Sequence, residues 1–363
     1  MKRYKNLWDK FVSMENLELA AKKAVQSKKS KRATQFFLKN KGRLLAELQQ
    51  MLRNETFNTS EYKIRKIFEP KERLIYILPL YPDHVVHHAL MNILGPIWQS
   101  TFINDSYACI PGKGLHKASS RLMEFIRRNK YVLQCDIRKF YPSINHDVMM
   151  DIIKRKIADK KLLNLLENIV KSCGDEKSLP IGNLTSQWMG NVYLNVLDHF
   201  VKEQLRCRDY IRYCDDFCLF ADDKKLLHQY RRKLKSFVED VLRLTFSKAT
   251  VFPVADGVAF IGYRHFKNFV LLRKRGAKKL KKRVMNVARY NDFSDFAVSQ
   301  LASYHGWVRW CNSYNFLVRL YDDIRKISPQ SLAFIESGLG RGRGCHRMTK
   351  QLPRAMDASD APV

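Results

Sequence analysis

Tyr210-Ile-Arg-Tyr-Cys-Asp215-Asp216-Phe-Cys-Leu-Phe-Ala221 sets two apolar runs on either side of an acidic pair. Ile211, Tyr213, Phe217, Leu219 and Phe220 favour strands, so the stretch predicts a hairpin whose tight turn carries both aspartates. Adjacent carboxylates repel each other and resist desolvation, so strand residues packed around them call for a nearby cation, most simply a divalent metal ion. Taken alone, such a pair is more often a solvated turn. A second acidic strand upstream shifts the balance: Tyr131-Val-Leu-Gln-Cys-Asp136-Ile-Arg-Lys-Phe-Tyr141 is another apolar run that ends on an aspartate. If the two are neighbours in an antiparallel sheet, Asp136 and the 215/216 pair meet at one sheet end. Three carboxylates there can bind two metal ions about 3.5–4 Å apart, the arrangement that clamps attacking and leaving oxygens in phosphoryl transfer. Hard oxygen ligands suit Mg2+.

The bulk properties agree with a polyanionic partner. The formal charge is +31 over 363 residues, far more than solubility needs, and it points to nucleic acid. Hydrophobic content of 45% implies a globular chain with a substantial core, large enough for two or three subdomains. No run approaches the ~18 apolar residues of a spanning helix, and Met1-Lys-Arg-Tyr-Lys leads into no apolar signal region, so the expected location is the cytoplasm. The eight cysteines have no framework spacing and read as reduced thiols, and Cys345-His346 lacks the second ligand pair of a zinc site. His84, His87 and His88 likewise have no carboxylate or cysteine at ligand spacing and read as a helix face with one packed histidine.

Tyr213-Cys-Asp215-Asp216 is similar to the Tyr-x-Asp-Asp box of reverse transcriptases, and Asp136 with Tyr141 shortly after it resembles that family's first carboxylate strand. The resemblance covers roughly residues 1–330. It implies an α+β right hand: N-terminal helices and fingers over 1–125, a palm with interleaved fingers helices over 126–265, a helical thumb over 266–334, and a disordered tail over 335–363. It further implies two Mg2+ ions, with Mn2+ as a substitute, held by Asp136, Asp215 and Asp216, with the Ile137 carbonyl completing one shell. Lys71 and Arg73, in a turn between two short strands within 62–79, take the roles of the residues that grip the incoming triphosphate; arginine's fork suits phosphate oxygens. Tyr141 sits where the family places a ring under the sugar, which would clash with a ribose 2′-OH. Lys248 resembles a later palm lysine that protonates leaving pyrophosphate, and Gly262-Tyr263 resembles the hairpin that grips the primer end.

Leu179-Pro-Ile181-Gly182-Asn-Leu-Thr-Ser186-Gln187 discriminates within the family. Most reverse transcriptases carry Pro-Gln-Gly here and end in Ser-Pro. Isoleucine at 181 and glutamine at 187 are similar to the pattern of diversity-generating retroelement enzymes. Glutamine can hydrogen-bond the incoming nucleotide and leave a mismatch unpaired, whereas isoleucine offers shape alone, and apolar discrimination is worth only about 1–3 kcal/mol. The resemblance therefore implies error-prone copying of a template-repeat RNA into cDNA, chiefly at adenines, and a small basic accessory protein as partner beside the deoxynucleoside triphosphates. A retron-like or phage-defence reverse transcriptase, or a catalytically silent RNA-binding scaffold, are the alternatives.

Elsewhere the residues speak for themselves. Apolar periodicity predicts helices over 4–26, 33–52, 83–94, two within 146–172, and one over 223–242. Lys113, in the glycine-bracketed loop Tyr107–Lys117, is placed for template backbone contact. Residues 273–290 put Leu280, Val284 and Val287 on one helix face and Lys278, Lys281 and Lys282 among the cations on the rest, with no acid interleaved, which fits tracking of phosphates.

Overall fold

Apolar periodicity decides where the helices lie, and capping side chains decide where they begin. The computed structural model describes residues 3–339 apart from 27, 69–71 and 175. In chain order the elements are helices α1 (Trp8–Phe11), α2 (Met14–Ala24), α3 (Arg32–Lys39) and α4 (Lys41–Arg53), then strands β1 (Lys63–Phe68) and β2 (Glu72–Ile77). Helices α5 (Val85–Gln99) and α6 (Leu115–Arg128) lead into β3 (Tyr131–Ile137), followed by α7 (Phe140–Ser143), α8 (His146–Lys154), α9 (Lys160–Lys171) and α10 (Leu184–His199). After them come β4 (Tyr210–Tyr213), β5 (Asp216–Ala221), α11 (Lys224–Ser236), β6 (Phe246–Pro253), β7 (Val258–Phe260), β8 (Tyr263–His265) and β9 (Val270–Leu272). Four helices close the described chain: α12 (Lys274–Arg289), α13 (Asp295–Trp310), α14 (Tyr314–Ile327) and α15 (Pro329–Leu339).

Two expected long helices are each cut in two. Ser13 takes an extended backbone and its side chain accepts from the Asn16 amide, ending one helical run and starting the next. Asn40 breaks the second run, its side-chain amide donating back to the Phe36 carbonyl at 3.0 Å. Asp159 begins α9 by accepting from the Leu162 amide, and its other oxygen accepts from the amides of Leu7 and Trp8 at the start of α1.

The chain is α+β, with three sheets among the described residues: β1-β2, β4-β5-β3-β6 and β7-β8-β9. The first and last are antiparallel, with Ile67 opposite Arg73 and Phe260 opposite Tyr263. In the middle sheet β3 pairs between β5 and β6, so strands far apart in sequence become neighbours. The chain forms two compact units, one of residues Met1–Gly112, Gln134–Phe217 and Gln229–Thr250, the other of Lys113–Leu133, Cys218–His228 and Val251 onward.

Within the second unit α12–α15 share a core that includes Leu280, Val284, Val287, Leu301, Leu317, Ile324, Ile335 and Leu339. The face read from Leu280, Val284 and Val287 is therefore the buried one. Within the stretch 335–363 expected as tail, α15 continues through Leu339 and buries Ile335 and Leu339. Lys71, Cys345-His346 and the glycine- and arginine-rich segment from 340 lie outside the described residues. Among the described residues no helix is long and apolar enough to cross a membrane.

Candidate active site

The acidic turn joins β4 to β5, as expected, and its backbone is unusual at one position: Cys214 is left-handed, with φ +54. A buried side chain supports it. Arg212, one step before Tyr213, is fully buried and forks onto Asp198 of α10, with Nε to Oδ1 at 2.8 Å and Nη2 to Oδ2 at 2.6 Å. Its Nη1 donates to Asn191 Oδ1 and to the Cys214 carbonyl, each at 3.1 Å. Burial pulls the guanidinium pKa down, but Asp198 more than offsets it and the net shift is upward, so the side chain stays charged. The Tyr210 hydroxyl donates to the same Asp198 at 2.6 Å. Neither Arg212 nor Asp198 was singled out from the sequence, although an arginine and an aspartate each stand inside an apolar run, a pattern that buried partners produce.

The amide of Ile137, the residue after Asp136, donates to the Asp215 carbonyl at 3.3 Å. That bond brings the end of β3 to the turn between β4 and β5, the convergence on which the metal expectation depends. Asp136, Asp215 and Asp216 are all partly exposed. Ser247 on β6 donates to the Asp136 carboxylate and also, at 3.2 Å, to its carbonyl. Among the described residues no three His, Cys, Asp or Glu side chains lie close enough to hold an ion unaided. In donor chemistry the residues expected to hold the metal suit a hard divalent cation, since three carboxylates and the Ile137 carbonyl all offer oxygen, on two backbone segments joined by the Ile137–Asp215 bond.

Tyr141 lies on α7 with its ring against Phe140, at 5.2 Å between centroids. Gly190 of α10 makes room for both rings: a Cβ there would stand 3.1 Å from Phe140 Cε1 and 3.3 Å from Tyr141 Cε1. Burial raises the Tyr141 phenol well above its ordinary pKa, with smaller upward contributions from Cys214, Cys109 and Asp215, so it is a neutral hydroxyl near the acidic turn.

Ile181 and Gly182 precede α10 and meet β2. The Tyr76 amide donates to the Ile181 carbonyl at 2.8 Å. Gly182 has φ +126, and a Cβ would lie 2.5 Å from the Tyr76 carbonyl oxygen, so the close approach requires glycine. The Tyr62 hydroxyl holds the other side, accepting from Asn183 at 3.0 Å and bonding Ser172 at 2.7 Å. Burial is the main cause that raises the Tyr62 phenol pKa, and its hydrogen bonds oppose that shift. Ile181 is half-buried, and Gln187 is exposed one turn into α10.

The remaining expected contacts separate into reachable cations and packed residues. Arg73 is exposed on β2. Lys248 on β6 is exposed and donates to Gln134 of β3 at 2.9 Å. Lys113 is half-buried. Lys278, Lys281 and Lys282 are exposed on α12, but Lys281 pairs with Asp323 of α14 at 2.5 Å, an acid that the local sequence did not reveal. Tyr263, expected in the hairpin that grips the primer end, is fully buried, and its hydroxyl donates to the Trp307 carbonyl at 3.2 Å, so its side chain holds the hairpin. The ring of Trp307 also fills the space beside Gly262 that a side chain would need.

A protein-family model described as reverse transcriptase (RNA-dependent DNA polymerase) matches residues 64–265. Among curated proteins, Protein YkfC of Escherichia coli is 25% identical over 312 residues, covering 72% of this chain and 80% of that protein. The group II intron-encoded protein LtrA of Lactococcus lactis is 25% identical over 198 residues, covering 47% of this chain and 33% of LtrA. The retron Ec73 reverse transcriptase of Escherichia coli is 27% identical over 154 residues, covering 38% of this chain and 48% of that enzyme. The chain thus spans most of YkfC but half or less of the other two. The family match runs from β1 through β8 and so includes both acidic segments and the Ile181-Gly182 turn between them; the chain belongs to the reverse transcriptase (RNA-dependent DNA polymerase) family.

Proposed function

We propose that this reverse transcriptase copies a template-repeat RNA into cDNA with errors concentrated at template adenines, so that the product diversifies a target sequence. The supporting observation is Ile181, an apolar side chain where most of the family has glutamine, beside the glycine that meets β2. Its shape alone discriminates among bases by about 1–3 kcal/mol, less than a hydrogen-bonding side chain enforces.

In this reading Asp136, Asp215 and Asp216, with the Ile137 carbonyl, hold two Mg2+ ions. Bound there, the ions lower the pKa of the primer 3′-OH and carry the charge of the triphosphate. Arg73 and Lys71 orient the triphosphate, Tyr141 excludes a ribose 2′-OH from its place over Gly190, and Lys248 delivers a proton to leaving pyrophosphate. Lys278 and Lys282 follow the phosphates of the template and primer duplex. Partners are the template RNA, the nascent cDNA, deoxynucleoside triphosphates and a small basic accessory protein, in a cytoplasmic setting. The similarity to the retron Ec73 enzyme favours a second reading, a retron-type reverse transcriptase of ordinary fidelity.

Primer extension on an RNA template with Mg2+ tests the chemistry: wild type extends and Asp215→Asn does not, and equal products from both end the polymerase reading. Sequencing the cDNA tests the finer claim. Substitutions at template adenines should fall in Ile181→Gln; a wild type without excess adenine errors leaves the retron-type reading in place.

A further inference from the structure

Two opposite charges are sealed behind the acidic turn, and folding alone does not account for them. Arg212 and Asp198 are both 0% exposed. Removing a guanidinium and a carboxylate from water costs more than their attraction returns unless the remaining protons also find acceptors, and an uncharged pair of similar volume often leaves a fold equally stable. What distinguishes Arg212 is the use of its third nitrogen. Nη1 donates to the carbonyl of Cys214, which belongs to the peptide leading into Asp215, and Cys214 holds a left-handed conformation that a non-glycine residue keeps only under constraint.

Arg212 itself is fixed on every side. Its amide donates to the Asp105 carbonyl at 3.0 Å, and its carbonyl accepts from the Tyr107 amide at 3.1 Å. Asn191 accepts from Nη1 and donates to the Ala108 carbonyl at 2.7 Å. Asn191 also follows Gly190, the residue beneath Tyr141. One helix, α10, therefore sets both the floor of Tyr141 and the grip on the turn.

We propose that Arg212 is a positioning residue for catalysis: held by Asp198 and Asn191 of α10, it fixes the Cys214–Asp215 peptide and thereby the place of the Asp215 carboxylate. The inference rests on the polymerase reading of the same turn. A carboxylate displaced by about 1 Å from its working place costs on the order of 10²-fold in rate.

The test compares wild type, Asp215→Asn, Arg212→Lys and the double variant Arg212→Met/Asp198→Asn. Lysine keeps the charge but lacks the fork that serves Asp198 and Cys214 together. The double variant removes both charges and leaves an acceptor for the Tyr210 hydroxyl, so it keeps the fold testable if Arg212→Lys alone does not fold. Circular dichroism and thermal melting establish folding. Single-nucleotide incorporation, expressed per active site, gives kcat and KM, and a Mn2+ titration read by electron paramagnetic resonance gives metal affinity without turnover. The expected result is a folded double variant with kcat down about 10²-fold, KM for the deoxynucleotide little changed, and weakened Mn2+ binding. A folded double variant with wild-type kcat and wild-type Mn2+ affinity overturns the proposal. If the wild type itself fails to extend a primer, the polymerase reading falls, and the Mn2+ titration still decides Arg212, since equal affinities overturn it.

Discussion

Replacing Gly182 with alanine should uncouple β2 from the nucleotide pocket while leaving the fold in place. The residue has φ +126, and the added Cβ would stand 2.5 Å from the Tyr76 carbonyl oxygen and 3.4 Å from Ile75 Cγ2. The nearer atom is backbone and cannot swing aside, so either Gly182 changes conformation or β2 withdraws. Holding a non-glycine residue in such a region costs about 1–3 kcal/mol, and losing the bond from the Tyr76 amide to the Ile181 carbonyl costs about 0.5–1.5 kcal/mol. The strain weighs against the attached arrangement, and the hydrogen bond, forfeited only on detachment, offsets part of it; the net is up to about 2.5 kcal/mol against attachment, a shift of up to roughly 70-fold in its population relative to the detached one.

Little buried apolar surface depends on that attachment, because β1 and β2 are largely exposed. The loss should therefore appear in substrate handling and hardly at all in melting. Steady-state incorporation of one deoxynucleotide on an RNA template should show kcat/KM reduced about tenfold, with a rise in KM, while circular dichroism is unchanged. A Gly182→Ala enzyme with wild-type kcat/KM would refute the claim that the attachment to β2 serves nucleotide binding.

Two further outcomes follow from the same geometry and from burial. Gly190→Ala gains up to about 1 kcal/mol of helix propensity but crowds Phe140 and Tyr141, whose rings must give by a few tenths of an ångström, and overpacking typically costs about 1–3 kcal/mol. A modest drop in melting temperature with a raised deoxynucleotide KM is expected, and an unchanged KM removes Gly190 from the pocket. His87 and His265 are buried, and desolvation pulls their pKa values down to about 3 and about 4. Both lie below the ~6.5 of an unfolded chain, so as pH falls below 6.5 the unfolded state gains protons that the folded state refuses, and stability declines toward pH 4. Each histidine should cost about 2 kcal/mol at pH 5 relative to neutral pH. Denaturant midpoints across pH 7 to 4.5 should flatten in His265→Gln, and an identical acid slope would contradict the assignment.

The sequence made legible what repeats locally and left hidden what depends on a distant partner. The acidic hairpin, the Asp136 strand and the basic face of α12 all announce themselves through alternation or period, because each element's burial pattern is written in its own residues. Helix breaks at Ser13 and Asn40 were less visible, since both residues fit a helical register until their side chains bond the backbone. Lys281 looked free because its partner, Asp323, sits on another helix. Tyr263 looked like a grip because it follows a glycine in a short hairpin, and only the position of Trp307 shows it to be core. Arg212 was passed over for the same reason: its meaning lies in Asp198 and in a backbone carbonyl, neither of which sequence spacing locates.

That distinction bears on how Ile181 should be interpreted. Position 181 engages β2 through its main-chain carbonyl, a contact that any side chain leaves intact, whereas position 182 admits only glycine. Exchange of isoleucine and glutamine at 181 therefore changes the side-chain chemistry at the proposed nucleotide site without altering how the segment is held. A half-buried isoleucine also contributes less to the core than a fully buried one, so the fold gains little from choosing it. On the proposed reading the residue is under weak structural constraint at a place of strong chemical consequence, so Ile181→Gln should change selectivity more than stability.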